Sequence, residues 1–243
     1  MINMIRKYAQ FRALLSDMDV KTDVPLKELT SFRIGGPAAF VVRPKTESEL
    51  CRALSAAEEA ELPLRILGNG TNVLAPDAGF PGLVLRLDAP FFPLLIDGCT
   101  VHAAAGESLA RAAHASVAAG LSGMEGLEGI PGTIGGACAM NAGAFGSEMK
   151  PILKRVRVYR GGEISDVTVR DEDLGHRRSV FAAPSAIVLR AELVLAPDDG
   201  HAAERTAEFS RRRREKQPLT LPSAGSVFKR PAGHFAGGLI EQC

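Results

Sequence analysis

At 243 residues, 46% of them hydrophobic and 23% charged, the chain has the composition of an ordinary globular protein and not of a disordered one. That length suits one large domain or two to three modest ones. The 29 Lys+Arg balance 28 Asp+Glu to a net charge of +1, without the clustered basic excess that gripping nucleic-acid phosphates requires.

The opening residues, MINMIRKYAQFRALLSDM, place charge among their apolar positions every few residues. They lack the apolar core of a signal peptide and read as a short amphipathic helix within an N-terminal segment 1–24. No apolar stretch approaches bilayer length. Cys51, Cys99, Cys138 and Cys243 are widely spaced with no CxxC pair and read as reduced thiols. The expectation is a soluble, cytoplasmic protein.

Phe40, Val41 and Val42 read as a strand, and Thr46 with Glu49 as the capping box of a helix that ends near Pro63. Leu64 to Leu67 is a short apolar strand running straight into GNGTN at 68–72. Strands are predicted around Leu83 to Leu85 and Thr100 to Ala104, then a helix from about Glu107 to Ala119 with Gly120 as its C-terminal stop. Further strands follow at 156–159, 167–169 and 187–195. A Pro197-Asp198-Asp199-Gly200 hinge then leads into a helix that Pro218 ends. The alternation is α+β, with a boundary near residue 200.

From Gly120 to Gly135 every third residue is glycine. The run is too short and too poor in proline for collagen, so the glycines are read as backbone geometry that lets a main chain approach a ligand. GxxxxGK[ST] is absent, and residues 68–73 supply only the first two glycines of GxGxxG, with Val73 at the third. GNGTN at 68–72 and IPGTIGG at 130–136 could act as two amide nests gripping one pyrophosphate, or be tight turns packed against each other.

His102, His114, His176, His201 and His234 show no metal-ligand spacing, and no metal is expected. Arg211, Arg212, Arg213 and Arg214 span one helical turn, so most must face water, with an anion contact as the alternative. There is no GxSxG elbow.

Five segments occur in order: SFRIGGPA (31–38), LGNGTNVL (67–74), GLEGIPGTIGGACAMNAGAFG (126–146), HRRS (176–179) and AGSVFKRP (224–231). Together they closely resemble the UDP-N-acetylenolpyruvoylglucosamine reductase family, flavoenzymes of peptidoglycan precursor synthesis, from about residue 25 to the last residue. The resemblance implies a two-subdomain FAD-binding fold of the PCMH, vanillyl-alcohol-oxidase-like type over 25–198, split near 75. The start of a smaller α+β substrate-binding domain would follow at 203–243. It implies FAD bound non-covalently, NADPH as co-substrate, a UDP-sugar substrate and a monomer, with no nucleic-acid or membrane partner. In that family NADPH reduces FAD, and the enolpyruvyl sugar nucleotide then receives the hydride at C3 and a proton at C2, giving UDP-N-acetylmuramate.

Carried over by motif, Arg33, Gly68, Asn69, Gly70, Thr71, Asn72, Gly126, Gly129, Ile130, Pro131, Gly132, Thr133, Gly135, Gly136 and Asn141 would line the FAD. Arg177 and Ser226 would be catalytic, and His176 and Lys229 would face substrate. A guanidinium suits an enolate forming on the substrate, and a serine hydroxyl can protonate so strong a base as the C2 carbanion. Away from the motifs, Arg177 reads as a surface ion pair and Ser226 as a turn serine.

The chain departs from the family pattern at His176 and Phe145, where tyrosine is usual, and at Arg230, where asparagine is usual. Family members continue past this chain's last motif with a glutamate that shares the enolate, so these residues alone are expected to bind FAD and turn over poorly. The competing readings are an FAD-dependent sugar or alcohol oxidase of the same wider fold and a non-catalytic nucleotide-binding module.

Overall fold

A computed structural model describes residues 2–182, 186–228, 231 and 233–243. Helix α1 (Ile2–Leu14) is short, and its packing depends on Phe11, which is fully buried with its ring centroid 4.7 Å from that of Phe40. After α1 the chain enters a four-stranded sheet built from β1 (Val20–Pro25), β2 (Pro37–Val42), β3 (Leu64–Leu67) and β4 (Phe80–Arg86), ordered β1-β2-β4-β3. The β1-β2 pair is antiparallel, whereas β2 and β3 both run parallel to β4. Helix α2 (Glu47–Glu59) makes the crossover that parallel pairing needs. Thr46 caps it by accepting from the Glu49 amide at 3.1 Å, while Glu49 reaches one residue further back to the Lys45 amide at 2.7 Å.

The second sheet is antiparallel throughout. It contains β5 (Leu95–Asp97), β6 (Thr100–Ala104), β7 (Leu153–Arg160), β8 (Glu163–Thr168) and β9 (Ile187–Val194), ordered β8-β7-β9-β6-β5. Helices α3 (Leu109–Ala118) and α4 (Ile134–Met140) cover one of its faces. A bulge near Leu189, where the pairing steps from Arg157↔Arg190 to Val158↔Val188, switches the faces of β9 and divides it between two cores. Val188, Ala191 and Leu193 pack with Leu109, Ile134 and Cys138, while Ile187 and Leu189 join Phe40, Leu50 and Leu85 of the first sheet. The two sheets therefore share a buried apolar contact, and the loops at one end of it carry the glycine turns.

Three boundaries differ from the sequence reading. The N-terminal helix ends at Leu14, and β1 belongs to the first sheet: VKTDVP is a mostly exposed edge strand with too little apolar alternation to announce itself. The passage between subdomains falls between Arg86 and Leu95 instead of near 75, because β4 completes the first sheet. The expected hinge at 197–200 is tied down, since Ala196 and Pro197 pair with Ser122 and Leu121, and the Asp198 amide donates to Gly120 O at 2.8 Å. The Asp198 carboxylate then accepts from the Ala202 amide at 2.9 Å, capping helix α5 (Ala202–Lys216). Among the described residues no helix is long and apolar enough to cross a membrane.

Replacing Phe11 with alanine is expected to cost about 3–5 kcal/mol in urea unfolding, the range for emptying a buried aromatic site. A loss under about 1 kcal/mol would mean that α1 is not part of the core.

Candidate cofactor and substrate site

Strand β3 delivers the chain directly into the first glycine turn, residues 68–72. Gly70 has φ +66° and its α-carbon lies so close to Leu29 O that a Cβ would overlap it, so only glycine is accommodated. A Cβ on Gly68 would sit 2.5 Å from Thr133 Oγ1, and one on Gly132 would meet Thr71 Oγ1 at 3.9 Å. The two glycine turns thus face each other at close range, one from each subdomain. Among the described residues, no hydrogen bond is donated by the backbone amides of Gly68, Asn69, Gly70, Thr71 or Asn72. Gly70 is buried and Gly68, Asn69 and Thr71 are half-buried, so unpaired N–H groups there are costly unless water or a ligand accepts from them. Asn69 lies half-buried at the edge of a cleft of about 370 Å³ whose other walls include Pro90, Gly106, Glu107, Ser108 and Arg111.

The second turn is different. Most of its amides are committed within the protein, Gly132 N to Ile130 O at 2.8 Å, Ile134 N to Glu107 O at 2.9 Å and Gly135 N to Ala105 O at 2.8 Å, while among the described residues no bond is donated by Gly129 N or Thr133 N. Gly136 N reaches Thr133 Oγ1 at 3.3 Å, which caps α4. Gly126 N donates to Ser147 Oγ at 3.1 Å. Of the two expected amide nests, then, the 68–72 turn has free donors, and the 129–136 turn presents a wall of close-approaching backbone. Pro131 and Gly136 are exposed on that wall, with Gly129 and Ile130 half-buried.

Helix α4 is seven residues long, which spans about 10 Å at 1.5 Å per residue. Its far end is capped by Asn141 in the left-handed region, φ +43°. From there the Asn141 side chain donates to Gly175 O at 3.0 Å. Gly175 belongs to a two-pair hairpin, Leu174↔Ser179 and Gly175↔Arg178, whose tip is His176 and Arg177. Both tip side chains are exposed, and Arg177 has φ +54°.

Ser226 is exposed on a segment held against the first turn. Ser31 N donates to Gly70 O at 3.1 Å, Ser31 Oγ donates to Ser223 O at 2.6 Å, and Ser223 N donates to Ser31 O at 3.2 Å. Gly225 sits where a Cβ would be 3.6 Å from Asn72 Oδ1. Arg33, exposed at φ +58°, occupies the same loop as Ser31. Lys229 and the Arg230 departure lie outside the described residues. The structure therefore brings Arg33, the 68–72 turn and the segment leading to Ser226 together, and links the 129–136 wall through α4 to the Arg177 hairpin.

Several contributing residues carried no motif. Glu125, 4% exposed, sits in the glycine-rich run and accepts from Arg205 Nη2 at 2.8 Å, Ser122 Oγ at 2.8 Å and Gly123 N at 2.7 Å, pinning α5 beneath the site. Glu128 accepts from Ser210 Oγ at 2.6 Å. Arg213 leaves the solvated arginine run to lie beside Gly129 and 5.5 Å over the Phe145 ring, which stacks on Phe209 at 4.9 Å. Burial pushes its guanidinium down from the ordinary value, partly countered by Glu128. Arg211 and Arg212 instead pair with Glu208. Glu107, buried in the cleft wall, is held low chiefly by the Arg111 guanidinium. The sequence singles out neither carboxylate, and the packing of α5 shows their partners.

Burial raises the Glu125 carboxyl, but its hydrogen bonds to backbone amides, Arg205 and Ser122 outweigh that and hold it below the usual range. A carboxyl depressed in the folded state stabilises fully above its unfolded pKa, about 4.3, and that contribution fades as pH falls through the folded value. Glu125→Gln should therefore lower the urea midpoint markedly at pH 7 and little near pH ~2.5. Equal losses at both pH values would contradict this assignment.

Comparison with known proteins agrees with the geometry. Residues 38–165 match the FAD binding domain family. The UDP-N-acetylenolpyruvoylglucosamine reductase of Clostridioides difficile (strain 630) is 42% identical over 239 residues, covering 97% of this chain and 78% of the relative. That of Alkaliphilus oremlandii (strain OhILAs) is 40% identical over 239 residues, covering 98% and 79%. The solved UDP-N-acetylenolpyruvylglucosamine reductase of Thermus caldophilus superposes with a TM-score of 0.78 at 36% identity, covering 93% of this chain and 80% of that one. A Phl p 4 variant described as a glucose oxidase shares the fold alone, with a TM-score of 0.58 at 13% identity over 77% of this chain and 44% of that one. With its free-amide turn, facing glycine wall and α+β two-subdomain frame, the chain belongs to the UDP-N-acetylenolpyruvoylglucosamine reductase family of FAD-dependent oxidoreductases.

Proposed function

We propose that the protein uses NADPH and FAD to reduce the enolpyruvyl ether of UDP-N-acetylglucosamine to UDP-N-acetylmuramate. The observation that carries this reading is the row of five unpaired amides at Gly68, Asn69, Gly70, Thr71 and Asn72, set opposite Thr133 and Gly132, with the Thr133 and Thr71 side chains reaching towards the facing glycines. Unpaired donors on a turn where Gly68 and Gly70 bring no Cβ fit the pyrophosphate of a dinucleotide. The 129–136 wall, with Gly126, Gly129, Ile130, Pro131, Gly132, Thr133, Gly135 and Gly136, would supply the close-fitting surface along which the rest of the cofactor lies. When bound, FAD supplies the hydride that the polypeptide itself cannot.

The chain's own residues act on the substrate. As C3 gains the hydride, negative charge develops at C2 and spreads into the neighbouring carboxylate. Arg177, permanently charged and offering paired donors, would hold that carboxylate and stabilise the enolate. Its place on a hairpin tip leaves the guanidinium accessible to a ligand. Ser226 would donate its hydroxyl proton to C2, an acceptor basic enough to take it. His176 beside Arg177, and Lys229 three positions after Ser226, would contact the sugar nucleotide.

The two half-reactions separate these roles. The purified chain should be yellow and bleach with NADPH under anaerobic conditions, and the enolpyruvyl substrate should restore the colour. Arg177→Lys and Ser226→Ala are each expected to slow restoration by roughly 10²-fold or more, and to leave bleaching unchanged. A colourless protein, or variants that restore colour at the parent rate, would contradict the proposal. Recolouring by oxygen but not by the enolpyruvyl compound would favour an oxidase.

A further inference from the structure

Asn141 carries more than its motif position suggests. As the left-handed cap of α4 its backbone needs only a residue that tolerates positive φ, and glycine would serve. Its side chain, however, is 2% exposed and almost fully occupied. Nδ2 donates to Gly175 O at 3.0 Å and to Glu148 Oε1 at 3.0 Å, and Oδ1 accepts from Lys150 N at 3.0 Å. A carboxamide has two N–H donors, and both are taken, so none remains for a cofactor atom.

The base of the hairpin is anchored by burial of Leu174 and Ser179 and by Val180 N donating to Asp173 O at 2.9 Å, whereas its tip, His176 and Arg177, is exposed. The hairpin consists of two residue pairs, which is marginal in isolation, and its turn places Arg177 at φ +54°, a left-handed conformation that strains a non-glycine residue. Leu174 is buried in the core below, but above it Gly175 O is the last hydrogen-bonded anchor before His176 and Arg177. The asparagine thus bridges the end of α4, whose other end is the Thr133 wall, to the residue two positions before Arg177.

We infer that Asn141 is a positioning residue that locks the Arg177 hairpin to the glycine wall, and not a ligand of the cofactor. The inference rests on the proposed role of Arg177 and adds the strut that places it. Because guanidinium donors stabilise developing charge only when held in place, a loosened tip lowers turnover without weakening the dinucleotide cradle.

Asn141→Gly tests this, since it keeps the left-handed backbone and deletes only the side-chain bonds. Asn141→Asp is the second variant: it keeps the shape, but replaces a donor with an acceptor facing Glu148 and Gly175 O. Three measurements are made on each: amide hydrogen exchange over residues 174–179, FAD affinity by flavin fluorescence, and kcat with KM. The expected result is about tenfold faster hairpin exchange, FAD affinity within about threefold of the parent, and kcat down about tenfold or more. The Asn141→Gly/Arg177→Lys double variant should be no slower than Arg177→Lys alone. FAD affinity weakened more than about tenfold with unchanged hairpin exchange would make Asn141 a cofactor ligand and overturn the inference. Additive losses in the double variant, or unchanged exchange with Arg177→Lys still impaired, would overturn the strut while sparing Arg177. Parent-rate turnover in Arg177→Lys would instead remove the role of Arg177, and with it the catalytic consequence drawn for Asn141.

Discussion

The contact on which the rest depends is the one between Gly68 and Thr133. It sets the loop after β3 against the loop before α4, with the Thr133 side chain occupying the space that a Cβ on Gly68 would need. Each loop is tethered from behind by its own sheet. The first is fastened by the parallel β3-β4 pairing, and the second by amides donated to Ala105 and Glu107 at the end of β6. A side chain at position 68 would press the turns apart or displace Thr133, the residue that caps α4. Close approach, donor geometry and helix capping therefore meet at one point.

This contact also explains why two similar glycine runs do different work. In the 68–72 turn the backbone packs against Leu29 and Ser31 through Gly70 yet leaves its own donors unpaired. In the 129–136 turn the same residue type lets the chain fold back onto residues 105–107, just after β6, committing most of its donors. Glycine abundance alone does not distinguish a nest from a wall. The distinction comes from whether an acceptor lies within reach of the turn's amides.

Much of the framework was legible because local signals agreed with the tertiary structure. Thr46 and Glu49 predicted the start of α2, Leu64 to Leu67 the strand β3, and Gly120, at φ +73°, the end of α3. Two elements were hidden for identifiable reasons. β1 is a polar edge strand, and α4, IGGACAM, contains two glycines in its first turn and is helical because Thr133 caps it and Ile134 and Cys138 are buried. Of the candidate site, the motifs located Arg177 and Ser226 but did not indicate what holds them. The Asn141-to-Gly175 bond spans 34 residues and the Ser31-to-Ser223 bond 192, separations at which no local pattern carries information. Glu125 and Arg205 were invisible for the same reason, being 80 positions apart.

The most direct measurement is residue-resolved amide exchange with and without FAD. The account predicts that the amides of residues 68–72 exchange freely in the cofactor-free protein and slow by about tenfold or more when FAD is added. Those of Gly132, Ile134 and Gly135 should be protected in both states. Unchanged exchange at 68–72 on adding saturating FAD, with new protection confined to other loops, would contradict the claim that this turn is the dinucleotide cradle.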